Sequence, residues 1–346
     1  MPRTRLIRRR AGRPLLALLA AAALLLGAGL APAGPAAAAP SPSAPDEGGS
    51  KQLRAALEAA AKGHIEAQAR LDNSKRRQVA LNGQLKQIEL RLVELKAQVG
   101  EVAAHSYRVG RLTPVSALLA STDPDSFLQR AAELDVMAQR DSRRLRDLHE
   151  AQAEATRAKL ALDAEVREQQ KQLAILAKKK RDAEIALAKV SSGSSRGFSG
   201  GSGSAKPAPR NPDGSWPPES CSVNDPTPAD GCITPRTLHM LQQAKAAGYK
   251  RYVSCHRSGG GGEHPKGRAC DFSAASGGFE NVSATGGDKA YGDSLASYLK
   301  NNASKLGVMY VIWYRQIWMP NTGWRSYSGG GSPAADHTNH VHVSMY

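Results

Sequence analysis

The stretch Asn339-His340-Val341-His342-Val343-Ser344-Met345 decides how the C-terminal third of the chain is read. His340, His342 and Ser344 alternate with Val341, Val343 and Met345, the period of a strand with one apolar side turned to a core. Two imidazoles two residues apart on a strand point the same way. Upstream, Gly262-Glu263-His264-Pro265-Lys266-Gly267-Arg268-Ala269-Cys270-Asp271-Phe272 places His264 and Asp271 seven apart. A strand through Arg268–Ser273 presents Asp271 on the side away from Phe272. Two histidines and one aspartate, with a position left for water, form the ligand set of a catalytic rather than a structural zinc, which lowers the pKa of its water to about 7.

Four cysteines, Cys221, Cys232, Cys255 and Cys270, lie in the same region. Three pairings are possible. The sequence-local Cys221–Cys232 and Cys255–Cys270 are favoured, and the absence of a C-x2-C spacing argues against a thiolate zinc site. Between the two motifs, Leu306–Met319 (LGVMYVIWYRQIWM) reads as one or two core strands, with Arg315 and Gln316 as candidates to face a cleft. His239 falls in an expected helix from Pro235 to Ala247 and reads as an ordinary histidine. The loop Pro320–Pro333, with Trp324 between glycines, either borders the site or connects strands.

Upstream of this region the chain is of another kind. Of 17 aromatic residues only Tyr107 and Phe127 precede residue 198, so the first part has no conventional globular core. Residues 51–190 are rich in Ala, Leu, Lys, Arg, Gln and Glu. Positions 53, 57, 60, 64, 67, 71, 74, 78, 81, 85, 88, 92, 95, 99 and 102 alternate spacings of four and three, a coiled-coil seam. A second seam is read through Leu145, Leu148, Ala155, Leu162, Val166, Leu173, Leu176, Ala183, Leu187 and Val190, with Gln152, Lys159 and Lys180 as polar interruptions. Gly110, Pro114 and Asp123-Pro124 break the helix between them. The chain is therefore expected to double back as an antiparallel hairpin with a first arm of about 75 Å. Its tip, residues 107–128, reads equally as a helical cap or as a docking surface for a partner.

Residues 191–218 read as a Gly/Ser/Pro-rich linker, a loose tether between coiled coil and C-terminal domain. At the other end, Arg3, Arg5, Arg8, Arg9, Arg10 and Arg13 precede a charge-free run from Pro14 to Pro40 that ends in alanines. That is the layout of a secretory signal peptide over 1–39, followed by a short linker, 40–50. The protein is expected to be secreted or held at the cell surface. The net charge of +16 is spread along the chain, with its densest cluster in this leader, which argues against a nucleic-acid partner.

With these residues on the page, a resemblance emerges over residues 233 to 346. H-x6-D followed by H-x-H is similar to the zinc metallopeptidases grouped as lysostaphin-type, D-alanyl-D-alanine carboxypeptidase-type and hedgehog-like proteins. Ser254-Cys255-His256-Arg257-Ser258 and Glu263-His264…Gly267…Ala269…Asp271-Phe272 resemble the carboxypeptidase branch. The resemblance implies that Zn2+ is held by His264, Asp271 and His342, that Arg257 binds a substrate carboxylate, and that His340 is catalytic beside the metal. The sequence departs from that branch at Asn339, where a catalytic acid is usual; Asp336, His337 and Glu263 stand in reserve. An exported coiled-coil hairpin before such a domain also resembles bacterial cell-separation hydrolases. The implied fold is an all-α antiparallel coiled-coil hairpin followed by a small α+β domain with an antiparallel sheet, 219–346, of the D-alanyl-D-alanine carboxypeptidase/hedgehog-like kind. The implied function is a secreted zinc-dependent peptidoglycan peptidase, regulated or recruited by its coiled coil, which would dock on a membrane division complex through its tip. The alternative, favoured by Asn339, is a non-enzymatic wall-binding or hydrolase-activator protein with a degenerate peptidase domain.

Overall fold

The computed structural model describes residues 49–110, 113–121, 123–190, 193 and 195–346, so the expected signal peptide lies outside the described residues. Helix α1 runs from Lys51 to Val109, capped by the Ser50 side chain and ended by Gly110 at φ 81°. The short α2 spans Thr113–Leu119. Helix α3, Pro124–Ala188, starts with Asp123 as its cap and Pro124 in its first turn, where a missing N–H costs nothing. The two long helices pack antiparallel as the predicted hairpin. In α1 every predicted seam position is buried or half-buried.

In α3 half of the predicted seam is shifted by one residue. Leu148, Ala155, Leu162, Leu176, Ala183 and Leu187 are buried or half-buried as predicted, but the other inward positions are 151, 158, 165, 172, 179 and 186. Leu145, Val166 and Leu173 are exposed instead. The seam takes small and polar residues because the helices approach closely: Ala151, Ala155, Ala183 and Ala186 are buried. Further out, Ser74 Oγ and the Arg77 guanidinium donate to Glu165, and Gln169 Nε2 donates to Gln78 Oε1. At the tip, Tyr107, Val115, Leu119, Phe127 and Leu128 are exposed.

The C-terminal domain opens with a two-stranded ribbon, β1 (Val223–Asn224) against β2 (Cys232–Ile233). Helix α4 (Pro235–Ala246) follows, then β3 (Val253–Ser254), β4 (Ala269–Ser273), α5 (Gly286–Asn301), α6 (Ala303–Leu306), β5 (Val308–Trp313), β6 (Gln316–Met319), β7 (Gly323–Ser326) and β8 (His340–Met345). Strands β3 to β8 form one antiparallel sheet in the order β3-β4-β8-β5-β6-β7. Both local disulfides, Cys221–Cys232 and Cys255–Cys270, are present.

The sheet has two covered faces. Phe272, Val311, Trp313, Val341 and Val343 form a core with Leu241 of α4 and Leu295 and Leu299 of α5. The opposite face carries Tyr310, Ile312 and Ile317, and it packs against Leu53, Leu57 and Ala60 of α1 and Ala183, Ala186 and Leu187 of α3. The hairpin base is thus the third layer of the domain. Residues 195–218, read as a loose tether, lie on the domain: Ala205, Ala208 and Trp216 are buried, and a Cβ at Gly201 would meet the Ser294 carbonyl oxygen at 2.3 Å. Small residues here permit close backbone contact with α5, so their composition is a packing requirement as well as a source of freedom.

Candidate functional site

Antiparallel pairing sets Asp271 of β4 directly opposite His342 of β8, and Ile312 of β5 opposite His342 on its other side. Side chains of such partners share a face. Asp271 and His342 therefore stand together on the face that the hairpin covers, and Asp271 is buried rather than turned to solvent. His264 arrives from a single 3-10 turn, His264–Lys266, closed by Gly267 at φ 67°. A Cβ at Gly267 would lie 2.7 Å from the Cys232 carbonyl oxygen, so only glycine fits this close turn.

His264, Asp271 and His342 offer ligand atoms that all lie within 4.8 Å of one another. His264 Nε2 is 3.1 Å from Asp271 Oδ2 and 3.3 Å from His342 Nδ1, and His342 Nδ1 is 2.8 Å from Asp271 Oδ1. The outward nitrogen of each ring is engaged elsewhere: His264 Nδ1 donates to the Cys255 carbonyl, and His342 Nε2 is hydrogen-bonded with Ser344 Oγ. Their inward nitrogens both lie against the Asp271 carboxylate. Three acceptors at such distances repel unless protons or a cation lie between them. Burial acts to lower the His264 pKa, but the Asp271 carboxylate outweighs it and the net shift is upward. Burial likewise acts to raise Asp271, yet His264 and His340 hold it well below the usual carboxylate range. The donor set and its outward hydrogen bonds fit a metal ion, with Ser344 and the Cys255 carbonyl as the partners that orient the rings.

His340 stands two residues before His342 on the same face, its Nε2 3.6 Å from Asp271 Oδ1. The Asn339 side chain, read from sequence as a missing acid, has a definite task. Its Nδ2 donates to the Glu280 carbonyl, and its Oδ1 accepts from His340 Nδ1. That bond fixes the His340 tautomer and leaves Nε2 bare on the cluster side. Burial pushes the His340 pKa down to about 4, against the pull of Asp271. Arg257 Nη1 lies 3.6 Å from Asp271 Oδ2, and its side chain is partly exposed.

The reserves separate. Asp336 accepts from the backbone N–H groups of Gly329, Gly330 and Gly331 and from Arg315, so it pins a loop. Glu263 points away from the metal-ligand group into a charge cluster with Lys266, Arg268 and Glu58 of α1. His337, by contrast, is buried beside the site, its ring centroid 4.7 Å from that of His340 and 5.6 Å from that of His342. Arg315 and Gln316 do not reach the cluster: Arg315 holds Asp336, and Gln316 Oε1 accepts from the Gly197 N–H. His239 bonds the Lys206 carbonyl and His256 the Asp230 carbonyl, both outside the site. Trp324 lies in β7 against Phe198. Sequence reasoning missed Tyr310, whose ring stacks on His342 at 5.7 Å between centroids.

The cover over this face comes from the hairpin. Leu53 and Leu57 pack with Tyr310 and Ile312, and Glu58 binds Lys266 Nζ at 2.9 Å and Arg268 Nη2 at 2.6 Å. His264, Asp271, His337, His340 and His342 are each no more than 3% exposed.

No curated protein and no solved structure matches the chain. Residues 229–338, which contain Arg257, His264 and Asp271 and stop just short of His340, match the family model described as VldE, C-terminal domain.

Proposed function

We propose that the protein is a secreted, zinc-dependent peptidase acting on peptidoglycan, cutting an amide of the stem peptide or cross-bridge. The observation that carries this reading is the convergence of two imidazole nitrogens on one buried carboxylate, each ring oriented by an outward hydrogen bond. His264 Nε2, Asp271 and His342 Nδ1 would hold the zinc. Zinc in such a site polarises the scissile carbonyl and activates water. His340, oriented by Asn339, offers a bare Nε2 that accepts a hydrogen bond from the attacking water. Arg257, partly exposed at the edge of the cluster, binds a substrate carboxylate. The positive charge outside the leader favours anionic wall polymers.

In this reading the coiled coil regulates the domain. The covered face supports a closed arrangement in which substrate enters once the hairpin base has moved. The exposed apolar residues of the tip, Tyr107, Leu119 and Leu128, are the surface for a partner in a membrane division complex.

The test uses the whole chain beside a Leu57→Asp form, which breaks the hairpin–sheet contact, and a His264→Ala form. Zinc per chain is measured first, then peptides released from purified peptidoglycan are identified by mass spectrometry. One zinc per chain with His264-dependent release, greater in the Leu57→Asp form, is the expected result. Zinc without release from either form would replace this reading with that of a wall-binding or activator protein, and absence of zinc would sink the site.

A further inference from the structure

Glu58 of α1 sits on the C-terminal domain in the manner of a bound ligand. Its Oε1 accepts from Arg268 Nη2 at 2.6 Å and its Oε2 from Lys266 Nζ at 2.9 Å, one oxygen for each cation. Charge-assisted bonds of this kind are how arginine and lysine hold the carboxylates of ligands. Both cations neighbour the metal-ligand group in the chain: Lys266 ends the His264 turn, and Arg268 precedes β4, which carries Asp271. The Lys266 side chain is 47% exposed, that of Arg268 18% and that of Glu58 24%, so the three lie at the rim of the hairpin–domain contact.

The charges do not balance within the domain. Lys266 and Arg268 bring two positive charges, and among the described residues the buried Glu263 is their one ion-pair partner from the domain itself. The second acid comes from the hairpin. When the hairpin base moves, Glu58 goes with it and leaves two cations against a single carboxylate, a place that suits an anion. There is also room. A cavity of about 260 Å³ is lined by Glu58, Glu263, Lys266, the loop 260–262 and Tyr310, and the Tyr310 ring stacks on His342. Lys266 and the ring that backs a metal ligand thus border one space, which a bound peptide would cross.

We propose that Lys266 and Arg268 form a second carboxylate subsite, which Glu58 fills while the hairpin covers the sheet and which an acidic side chain of the substrate fills once the hairpin has moved. The substrate is then a peptide with two carboxylates, one for Arg257 beside Asp271 and one for this pair. One site cannot hold two carboxylates at once, so substrate and cover compete: an acidic peptide favours the uncovered state, and Glu58 the covered one. The inference rests on the peptidase reading above for what is bound, and it adds the acidic character of the peptide.

The experiment uses the whole chain in metal-chelating buffer, so that binding is read without turnover. Two probes are titrated by calorimetry, acetyl-Ala-Glu-Ala and acetyl-Ala-Gln-Ala, which share a terminal carboxylate and differ in the second one. The proteins compared are Leu57→Asp, the same form with Glu58→Gln, and that double form with Lys266→Gln. Lys266 is half exposed, so its replacement does not threaten the fold. With the cover parted and Glu58 gone, the glutamate peptide should bind about tenfold more tightly than the glutamine peptide, the worth of one charge-assisted contact. The preference should be smaller where Glu58 is still present to compete, and Lys266→Gln should cut it to about threefold or less. Equal affinity for the two peptides, a preference that Lys266→Gln leaves intact, or no binding of either peptide overturns the proposal. Release from peptidoglycan by the Leu57→Asp form with zinc is scored apart: its absence refutes the peptidase reading, whereas the binding result tests the cation pair alone.

Discussion

Replacing Glu263 by Gln tests the charge cluster that joins the hairpin to the His264 turn. Glu263 is 1% exposed, with Arg268 at 2.5 Å and Lys266 at 3.0 Å, and it shares both cations with Glu58. Burial pushes the Glu263 carboxyl from 4.5 up to about 7, with Arg268 opposing and the like charge of Glu58 assisting. A rise of that size corresponds to roughly 3 kcal/mol at 1.36 kcal/mol per pH unit. Glu58 moves the other way, downward, because Lys266, Glu263 and Arg268 outweigh its own burial, so this figure is an upper bound. The sign follows from proton counting. Between pH 4.5 and about 7 the native state holds a proton on Glu263 that the unfolded chain has lost, so this group's contribution to stability falls as pH rises through that window. Glutamine keeps the shape and has no such dependence. Denaturant unfolding of parent and variant, in metal-chelating buffer from pH 4.5 to 8, gives a difference curve in which the titrating groups outside the Glu263–Glu58 cluster cancel. The stability of Glu263→Gln relative to parent should climb by up to about 3 kcal/mol across the window. A flat difference, or one that climbs toward acid, would refute the argument that burial dominates at Glu263.

Other perturbations have equally definite outcomes. Ser344→Ala removes the partner of His342 Nε2 and should weaken zinc binding about 10- to 100-fold, read by competition with a chromophoric chelator; unchanged affinity would mean the hydroxyl does not orient the ring. The double change Cys255→Ala and Cys270→Ala unties the segment that accepts from His264 from the strand that carries Asp271. It should cost about 2–5 kcal/mol in chemical unfolding, and a smaller loss would show that the sheet alone holds the two together. Leu57→Asp places a charge in the buried hairpin–sheet contact, and amide exchange in β5 and β6 should quicken relative to β4 and β8; uniform exchange would argue that the cover does not part from the sheet separately.

How far the sequence carries depends on the element. The α1 seam was legible at every position because apolar spacing is the physical determinant of which side packs. The α3 seam was half legible: Leu145, Val166 and Leu173 are better hydrophobes than Ala151, Ala158 and Gln172, but a close helix approach selects for size. Asp271 and His342 came together because strand alternation and sheet register convert spacing directly into proximity, and the turn closed by Gly267 brings His264 to them. Arg315 and Gln316 did not, since the β5–β6 turn puts Tyr314 and Arg315 at positive φ and sends Arg315 to Asp336. The task of Asn339 was invisible because a side-chain amide announces nothing until its two bonds, to Glu280 and His340, are seen. Nor could spacing show that the hairpin base would lie over the histidine face, because seam leucines such as Leu53 and Leu57 look the same whether they meet one partner or two.

The hairpin's reach has a mechanical consequence. Its contacts with the domain extend from Leu53 to Arg76, where the guanidinium donates to the Asp213 carbonyl, and beyond that point α1 continues alone with α3 to Val109. At about 1.5 Å per residue, Arg76 stands roughly 35 Å from Leu53 and roughly 50 Å from the end of α1. A stiff rod pivoting at Arg76 is a seesaw. Displacing the tip by about 10 Å lifts the other end by about 7 Å, more than the width of a water molecule. On that geometry a pull at the far end of the coiled coil would reach the covered histidine face at roughly 70% of its amplitude.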